Sequence, residues 1–216
     1  GARDDTCRRW SEECVVGEGT AANRSGLAAR REDAGAGARM RPIARDTEAS
    51  LRQAFALAEG ADLVVTIGGA SVGDHDLVGP VAAELGLEQS FYKVAMRPGK
   101  PLMAGRLASA AMLGLPGNPV SAMVCGAVFM LPMVRKMQGL DQGEAPPLEA
   151  PLGRAIEANG PRAHYMRANL RDGQLYPDDR QDSSLLSVLA AADVLMVRPP
   201  HDPPRVAGDM QQYITL

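Results

Sequence analysis

Hydrophobic and polar positions follow regular patterns over most of the chain, and its beginning is the exception. Residues 1–21 are charged and have neither helical nor strand periodicity, which predicts irregular structure. Helical spacing follows over 26–33 and 47–60, and the strand-like run MRPIA lies between them at 40–44. Asp46 precedes the second helical stretch, where a short polar side chain can cap a helix N-terminus.

The middle of the chain alternates apolar runs with helical patterns. The run ADLVVTI at 61–67 is continuously apolar, as in a strand that is buried on both faces. A helix is predicted over 76–85, and further strand-like runs are FYKVAM at 91–96, PLMAGRL at 101–107 and AAMLGL at 110–115, before a long apolar helix over 119–138. This alternation predicts a three-layer α/β domain with a mostly parallel sheet over residues 22–140.

The last third of the chain has a different pattern. The proline-rich segment DQGEAPPLEAP, residues 141–151, lacks periodicity and predicts a linker. Beyond it, short apolar runs separated by turn residues predict a small β-rich domain over 152–216, either a barrel or a sandwich.

Composition and charge exclude several classes of protein. The 216 residues are 45% hydrophobic and 23% charged, which is ordinary for a globular protein. No run reaches the roughly 18 uninterrupted apolar residues of a membrane span, so no membrane partner is expected. A net charge of -3 gives no broad basic surface, so no nucleic acid partner is expected either. The N-terminus lacks the pattern of a signal peptide, which makes the cytoplasm the default location.

Cysteine and histidine offer little chemistry. Cys125 lies in an apolar run and is expected to be a buried thiol, whereas Cys7 and Cys14 leave a disulfide or half of a metal site open. His164 and His201 are expected in surface loops. No nucleophile–histidine–carboxylate arrangement can be argued, which speaks against a serine or cysteine hydrolase.

The distribution of lysine singles out one basic segment. Only three of the 23 basic residues are lysines, and two of them, Lys93 and Lys100, flank Arg97 in KVAMRPGKP. Three cations so close together would repel each other unless they surround an oligoanion. The alternative is a solvated loop without a ligand.

A glycine-rich segment, TIGGASVGDHD at residues 66–76, follows the buried strand and precedes a helix. Ligands of open α/β sheets bind beyond the carboxyl ends of strands, and glycines let backbone N–H groups approach an anion closely. The candidates for such contacts are Gly68, Gly69, Ser71 and Gly73. Asp74 and Asp76 would suit Mg²⁺, although a tight turn with one aspartate as helix cap explains the segment equally well.

A second turn between a strand and a helix, GLPGNPVS at 114–121, has the same potential. Asn118 suits the N-cap and Pro119 the first helical position, so the helix end offers unpaired N–H groups to an anion. A well-formed turn with no ligand is the alternative. The residues of this segment that could contact a substrate are Pro116, Gly117, Asn118, Pro119 and Ser121.

In this order, TIGGASVGDHD, KVAMRPGKP and LPGNPVSA resemble the molybdopterin molybdenumtransferase family, which includes bacterial MoeA and the E domain of gephyrin. The tail agrees, since NGPRAHYMRANL and the closing YITL are similar to that family's C-terminal β-barrel domain. The resemblance runs from about Asn23 to Leu216. It implies a molybdopterin-binding domain that inserts molybdate into adenylylated molybdopterin, releases AMP and depends on Mg²⁺.

The resemblance also implies roles for single residues. Asp46 and Asp76 match carboxylates that hold the metal or molybdate, and with Lys93 and Arg97 they form the implied catalytic set. The implied substrate-binding residues are the glycine-rich loop with Ser71, the basic Lys100, the turn with Pro116 and Pro119, and, in the C-terminal domain, Arg167 and Ser183.

The resemblance has one large departure. Full-length members carry a preceding segment with a dimerising domain and a TGDEL motif, and residues 1–21 match none of it, so we expect the chain to represent the C-terminal two domains. The family is homodimeric, and the dimerising domain is in that segment. Two alternatives stay open: a noncatalytic molybdopterin-binding scaffold, and molybdopterin adenylyltransferase, which the C-terminal barrel disfavours.

Overall fold

The structure, a computed structural model, describes residues 7–9, 12–14, 25–27, 37, 39–69, 77–140 and 148–216. The helices are α1 Glu48–Leu57, α2 Val78–Glu84, α3 Pro119–Met137, which contains a π-helical turn at Gly126–Met130, and α4 Leu186–Ala190. Residues 25–27 are also helical. The strands are β1 Cys7–Arg9, β2 Glu12–Cys14, β3 Leu63–Ile67, β4 Leu87–Tyr92, β5 Met96–Arg97, β6 Met103–Leu107, β7 Ala110–Leu115, β8 Leu148–Pro151, β9 Ala163–Arg171, β10 Gln174–Pro177, β11 Val194–Arg198 and β12 Met210–Thr215.

The sheet of the first domain has the strand order β3-β7-β6-β4. Strands β3 and β7 are parallel, whereas β6 pairs antiparallel with both β7 and β4. The prediction of a mostly parallel sheet is therefore wrong for the described strands, which form a mixed sheet. The reason is the two-residue connection between β6 and β7, Ala108–Ser109, since a parallel crossover needs about a dozen residues or more.

Apolar side chains of β3 explain why helices cover both faces of this sheet. Leu63, Val65 and Ile67 pack against a core cluster that includes the first half of α3, while Val64 packs against a second cluster with residues of α1 and α2. Successive side chains of a strand point to opposite faces, so a continuously apolar strand needs cover on both. The result is three layers of helix, sheet and helix.

Side chains cap two of the helices. Asn118 Oδ1 accepts a hydrogen bond from the Ser121 N–H at 3.0 Å and caps α3, as the sequence predicts. Thr47, not Asp46, caps α1, because its hydroxyl accepts a hydrogen bond from the Ser50 N–H at 3.3 Å. The Asp46 carboxylate is therefore not used by the helix.

Helix α3 is the apolar helix of the first core. It has 19 residues and is apolar enough to cross a membrane by length and composition alone. Val120, Ala122, Val124 and Cys125 are fully buried against the sheet, which is the arrangement of a core helix in a globular domain.

The second domain is built on an antiparallel sheet with the order β10-β9-β11-β12-β8. Its outer strands β10 and β8 are not paired with each other, although Leu152, the residue after β8, forms an isolated bridge with Leu175 of β10. The described sheet is therefore not closed, and the predicted barrel is not seen as a closed barrel.

Four further sequence expectations differ from the structure. Residues 40–44 form no strand, and Pro42 there lacks the N–H that a ladder needs. The last part of the expected linker 141–151 forms β8, since it pairs with β12; residues 141–147 lie outside the described part. The run LLSVLAAADVLMVRPP, expected to be strand-like, forms α4 in its first half and β11 in its second, because short apolar runs suit either element. Within residues 1–21, expected to be irregular, β1 and β2 pair antiparallel, since a three-residue strand is too short to show periodicity.

The two domains share a core. Leu189 and Leu195 of the second domain belong to the same buried cluster as the apolar side chains of α3. Strand β5 of the first domain pairs in parallel with β9 of the second, and the Ala163 N–H donates to the Ala95 carbonyl at 2.9 Å. The two domains are therefore separate in sequence but packed together in one hydrophobic core.

Candidate functional site

Sheet topology brings the candidate segments to one edge. Strands β3 and β7 are parallel, and β4 runs in their direction because it is related to β7 by two antiparallel pairings. The carboxyl ends of all three strands therefore lie at the same edge of the sheet. Gly68–Gly69 follow β3, Lys93 follows β4, and Pro116–Asn118 follow β7, so the three segments that the sequence singled out lie together.

Two of these segments touch through glycine backbones. Gly68 and Gly69 have positive φ angles of 83° and 69°, and the Gly68 N–H donates to the Leu115 carbonyl at 3.0 Å. A Cβ on Gly117 would lie 3.4 Å from the Gly68 Cα. The loops after β3 and β7 are therefore in contact, and the positive φ angles favour glycine at positions 68 and 69.

A carboxylate and a hydroxyl line the same cavity as the Gly68–Gly69 loop. Asp46, Thr66 and both glycines line one cavity that runs along β3. The Thr66 Oγ1 is buried and has no hydrogen-bond partner, whereas Asp46 is exposed. Within the described part of the chain, no group of three or more His, Cys, Asp or Glu side chains could hold a metal ion.

The backbone of the basic segment is held by the core beneath it. The Lys93 N–H donates to the Leu102 carbonyl at 2.8 Å, and the Val94 N–H donates to the Lys100 carbonyl at 3.0 Å. Gly99 is buried with a φ of 110°, and a Cβ there would lie 2.3 Å from the Cys125 Sγ. The segment is therefore fixed on α3, and only glycine fits at its tightest point.

The cations of this segment remain available. Lys93, Arg97 and Lys100 are exposed, and none forms an ion pair with another residue that the structure describes. Partial burial, followed by the nearby guanidiniums of Arg162 and Arg198, lowers the pKa of Arg97 below its ordinary value. Uncompensated positive charge at the sheet edge favours the binding of an anion.

Sequence reasoning missed that His164 is buried beside several arginines. It is the register partner of Arg97 in β5 and of Arg198 in β11, and it is buried rather than in a surface loop. Burial, and then the charges of Arg97 and three further arginines, lower its pKa to about 3. His164 is therefore neutral at pH 7; a signal in the sequence was its alternation with Met166 and Ala168, which is typical of one face of a strand.

Arg167 and Ser183 come together in the second domain. Arg167 is fully buried, and its Nη2 donates to the backbone oxygens of Arg180 at 3.3 Å and Asp182 at 3.0 Å. Its Nε and Nη1 have no hydrogen-bond partner. Ser183 follows Asp182 directly and is half-buried, so Arg167 of β9 holds the loop that carries Ser183, although this guanidinium is closed to solvent.

The structure places the remaining predicted residues unevenly. Pro116 and Ser121 are buried at the start of α3, and Pro119 is half-buried beside them. Ser71, Gly73 and Asp76 lie outside the described residues, so the second predicted metal ligand remains a prediction.

Comparison with protein families covers nearly the whole chain. Residues 10–136 match the model of the probable molybdopterin binding domain, and residues 149–216 match the MoeA C-terminal region, domain IV. The chain belongs to the molybdopterin molybdenumtransferase family. The first match begins at residue 10, so it includes part of the segment 1–21 that the resemblance left unmatched.

Curated relatives of this molybdenumtransferase family match over limited lengths. The molybdopterin molybdenumtransferase of Haemophilus influenzae is 45% identical over 103 residues, which are 47% of this chain and 25% of the relative. Molybdopterin molybdenumtransferase 2 of Mycobacterium tuberculosis H37Rv is 36% identical over 152 residues, 67% of this chain and 37% of the relative. The Drosophila melanogaster protein cinnamon is 34% identical over 159 residues, 71% and 26% respectively. The chain therefore spans between 25% and 37% of these relatives.

Solved structures of the family have the same fold. A molybdopterin biosynthesis moeA protein from Pyrococcus horikoshii OT3 superposes with a TM-score of 0.72 at 18% identity. The superposition covers 90% of this chain and 46% of the Pyrococcus horikoshii chain. A molybdenum cofactor biosynthesis protein from Pyrococcus furiosus has the same TM-score at 19% identity, with 90% and 64% covered. These similarities support the fold of both domains.

Proposed function

We propose that this chain acts in molybdenum cofactor biosynthesis, by inserting molybdate into adenylylated molybdopterin with release of AMP. The observation that carries the proposal is the common sheet edge, where Gly68–Gly69, Lys93–Lys100 and Pro116–Asn118 lie side by side. Membership of the family supports the same reaction. The homodimer and the molybdate specificity are proposed on the family resemblance alone, and the cytoplasmic location remains a prediction.

The dimensions and charge of this edge suit an elongated anion. Strands β3 and β4 are three strand spacings apart, which is about 14 Å at the usual spacing. Lys93 and Lys100 contribute compact charges, and Arg97 contributes a planar fork that can hold two oxygens of a phosphate or of molybdate. The amino end of α3 adds a partial positive charge near the turn after β7.

The donors beside β3 fit Mg²⁺. Asp46 and the unpartnered Thr66 hydroxyl are oxygen ligands of the kind that this cation prefers, and Mg²⁺ usually takes only one or two carboxylates, with waters and substrate phosphates completing its shell. We assign the cation to Asp46 and Asp76. When bound, it neutralises charge on the phosphate that is cleaved.

The chain's own residues then bind and orient the substrate. The backbone N–H of Gly69 and the cations of the basic segment hold the phosphate groups, and molybdate binds where Arg97 meets the second domain. Arg167 keeps the loop with Ser183 in place through its bonds to backbone oxygens. No covalent nucleophile is required, because positioning and charge neutralisation suffice for such a transfer.

A Mg²⁺-dependent assay with adenylylated molybdopterin and molybdate tests the proposal. Molybdenum cofactor and AMP are expected to form faster than without protein, and to form more slowly in the Asp46→Asn variant. Glu88→Gln, which changes an exposed carboxylate near the amino end of β4 and thus at the opposite edge of the sheet, is the matched control and is expected to retain the rate. Product at only the uncatalysed level would contradict the enzymatic function.

Two other functions make different predictions in the same experiment. A noncatalytic molybdopterin-binding scaffold would bind molybdopterin but form no product. A molybdopterin adenylyltransferase would transfer AMP from ATP to molybdopterin, and would not release AMP when molybdate is added.

A further inference from the structure

Two adjacent residues, Tyr92 and Lys93, are in contact at the carboxyl end of β4. The Lys93 Nζ lies 5.2 Å from the centroid of the Tyr92 ring. Neighbouring side chains of an extended strand point to opposite faces of the sheet, so adjacency in sequence does not by itself bring the two together. The contact therefore requires a departure from strand geometry at Lys93.

The backbone of Lys93 supplies that departure. Its φ is 72°, in the left-handed region that residues with a Cβ adopt rarely and at a cost in free energy. The hydrogen bond from its N–H to the Leu102 carbonyl, and the next one from Val94 to Lys100, hold this conformation. The turn thus directs the lysine side chain back over the preceding ring.

The Tyr92 ring is itself fixed. Tyr92 is the last residue of β4, is half-buried, and packs against the second core cluster. Its register partner, Met103, is 2% exposed. A cation over the face of a fixed aromatic ring is attracted by the ring's quadrupole, which restricts the many conformations that an exposed lysine otherwise samples.

We propose that Tyr92 is a positioning residue, which holds the Lys93 ammonium over its ring and so directs this charge toward an anion at the sheet edge. The inference rests on the proposed function, because it assumes that Lys93 contacts the phosphate groups of molybdopterin. It assigns a role to a tyrosine that sequence reasoning treated only as part of a strand.

Binding of molybdopterin, measured by calorimetry, tests this role. Tyr92→Leu removes the ring and is expected to weaken binding about 2- to 5-fold, the effect of an exposed cation–ring contact. Tyr92→Phe keeps the ring and is expected to bind molybdopterin with the affinity of the wild type. Phe91→Leu is the matched control, since it removes an exposed aromatic ring one residue earlier in β4 and is expected to have no effect.

The Lys93→Ala background separates positioning from general damage. If Tyr92 acts through Lys93, Tyr92→Leu weakens binding no further when Lys93 is already alanine. An equal loss in that background would overturn the positioning role. Unchanged affinity in Lys93→Ala alone would overturn the proposed role of Lys93 as well.

A measurement without ligand tests the contact directly. The ring current of Tyr92 is expected to shift the NMR signals of the Lys93 Cε protons upfield in the wild-type chain and in Tyr92→Phe, and this shift is expected to vanish in Tyr92→Leu. Its absence from the wild-type spectrum would overturn the inference, while leaving the proposed function standing.

Discussion

The two domains use positive charge in opposite ways. In the second domain Arg198 is 3% exposed, and its donors are directed at Asp202 and at backbone oxygens. In the first domain, Lys93 and Lys100 are exposed and, among the residues that the structure describes, have no carboxylate partner. A buried guanidinium uses its donors to hold the fold, whereas an exposed cation keeps them for a ligand.

Arg198 and Asp202 are buried together in the second domain and form a network with Arg205. Asp202 accepts from the Arg198 Nε and from the Arg205 Nη2, each at 2.6 Å. Burial raises the pKa of the Asp202 carboxyl, but the hydrogen bonds from the two arginines outweigh burial, so its pKa lies below the ordinary value. The stability that this carboxylate contributes is therefore present above the pKa of the unfolded chain and is lost as the pH falls through the lower folded value.

The largest expected effect follows from breaking that network. Asp202→Ala leaves Arg198 buried without its partner, which should lower the free energy of unfolding by about 3–5 kcal/mol in urea denaturation. The control is Asp179→Ala, because Asp179 pairs with Arg154 but is 82% exposed, and should cost less than about 1 kcal/mol. Equal losses in both variants would remove the contrast between buried and exposed charge.

Packing beneath the basic segment should give the next largest effect. Gly99→Ala combines an unfavourable φ of 110° with a collision at the Cys125 Sγ, and should destabilise the chain by about 2–4 kcal/mol. Gly60→Ala has a positive φ of 75° but nothing within 4 Å of the added Cβ, so about 1 kcal/mol is expected. Thermal denaturation of the two variants separates the cost of the steric clash from the cost of the positive φ. A loss of stability in Gly99→Ala that does not exceed the loss in Gly60→Ala would mean that the basic segment is not tightly packed on α3.

The buried histidine predicts a loss of stability in acid. The pKa of His164 is about 3 in the folded chain, so between pH 6.5 and pH 3 the unfolded chain binds a proton that the folded chain does not. Stability should therefore fall by about 2 kcal/mol from pH 7 to pH 5. His164→Gln should remove this part of the pH dependence in denaturant titrations, whereas the exposed control His201→Gln should retain it. Parallel profiles for wild type and His164→Gln would contradict the assignment.

The exposed cations should matter for binding and not for stability. Replacing Lys93 and Lys100 together by alanine should weaken molybdopterin binding by about tenfold, because two charged contacts to the anion are lost. Lys136→Ala is the matched control, since it removes the third lysine of the chain, exposed near the end of α3. Unchanged affinity in the double variant, measured by calorimetry, would refute the anion clamp.

Sequence reasoning could predict the features of the fold that depend on residues close together in the chain. The loops after β3 and β7 follow apolar strands and carry glycine, proline or a capping asparagine, so their place at a strand end was predictable. The two-residue gap before β7 also implied a hairpin, although alternation of elements suggested a parallel sheet. The partners of β5 and of Arg167 were not predictable, because they depend on contacts between residues far apart in sequence.

The pairing of β5 with β9 links ligand binding to the melting of the second domain. Since both domains contribute to one apolar cluster, we expect them to unfold in a single cooperative transition. An anion that binds only the native sheet edge then raises the melting temperature of the whole chain, in proportion to the logarithm of its concentration. Thermal shift of the second domain thus becomes a reporter for occupancy of a site in the first.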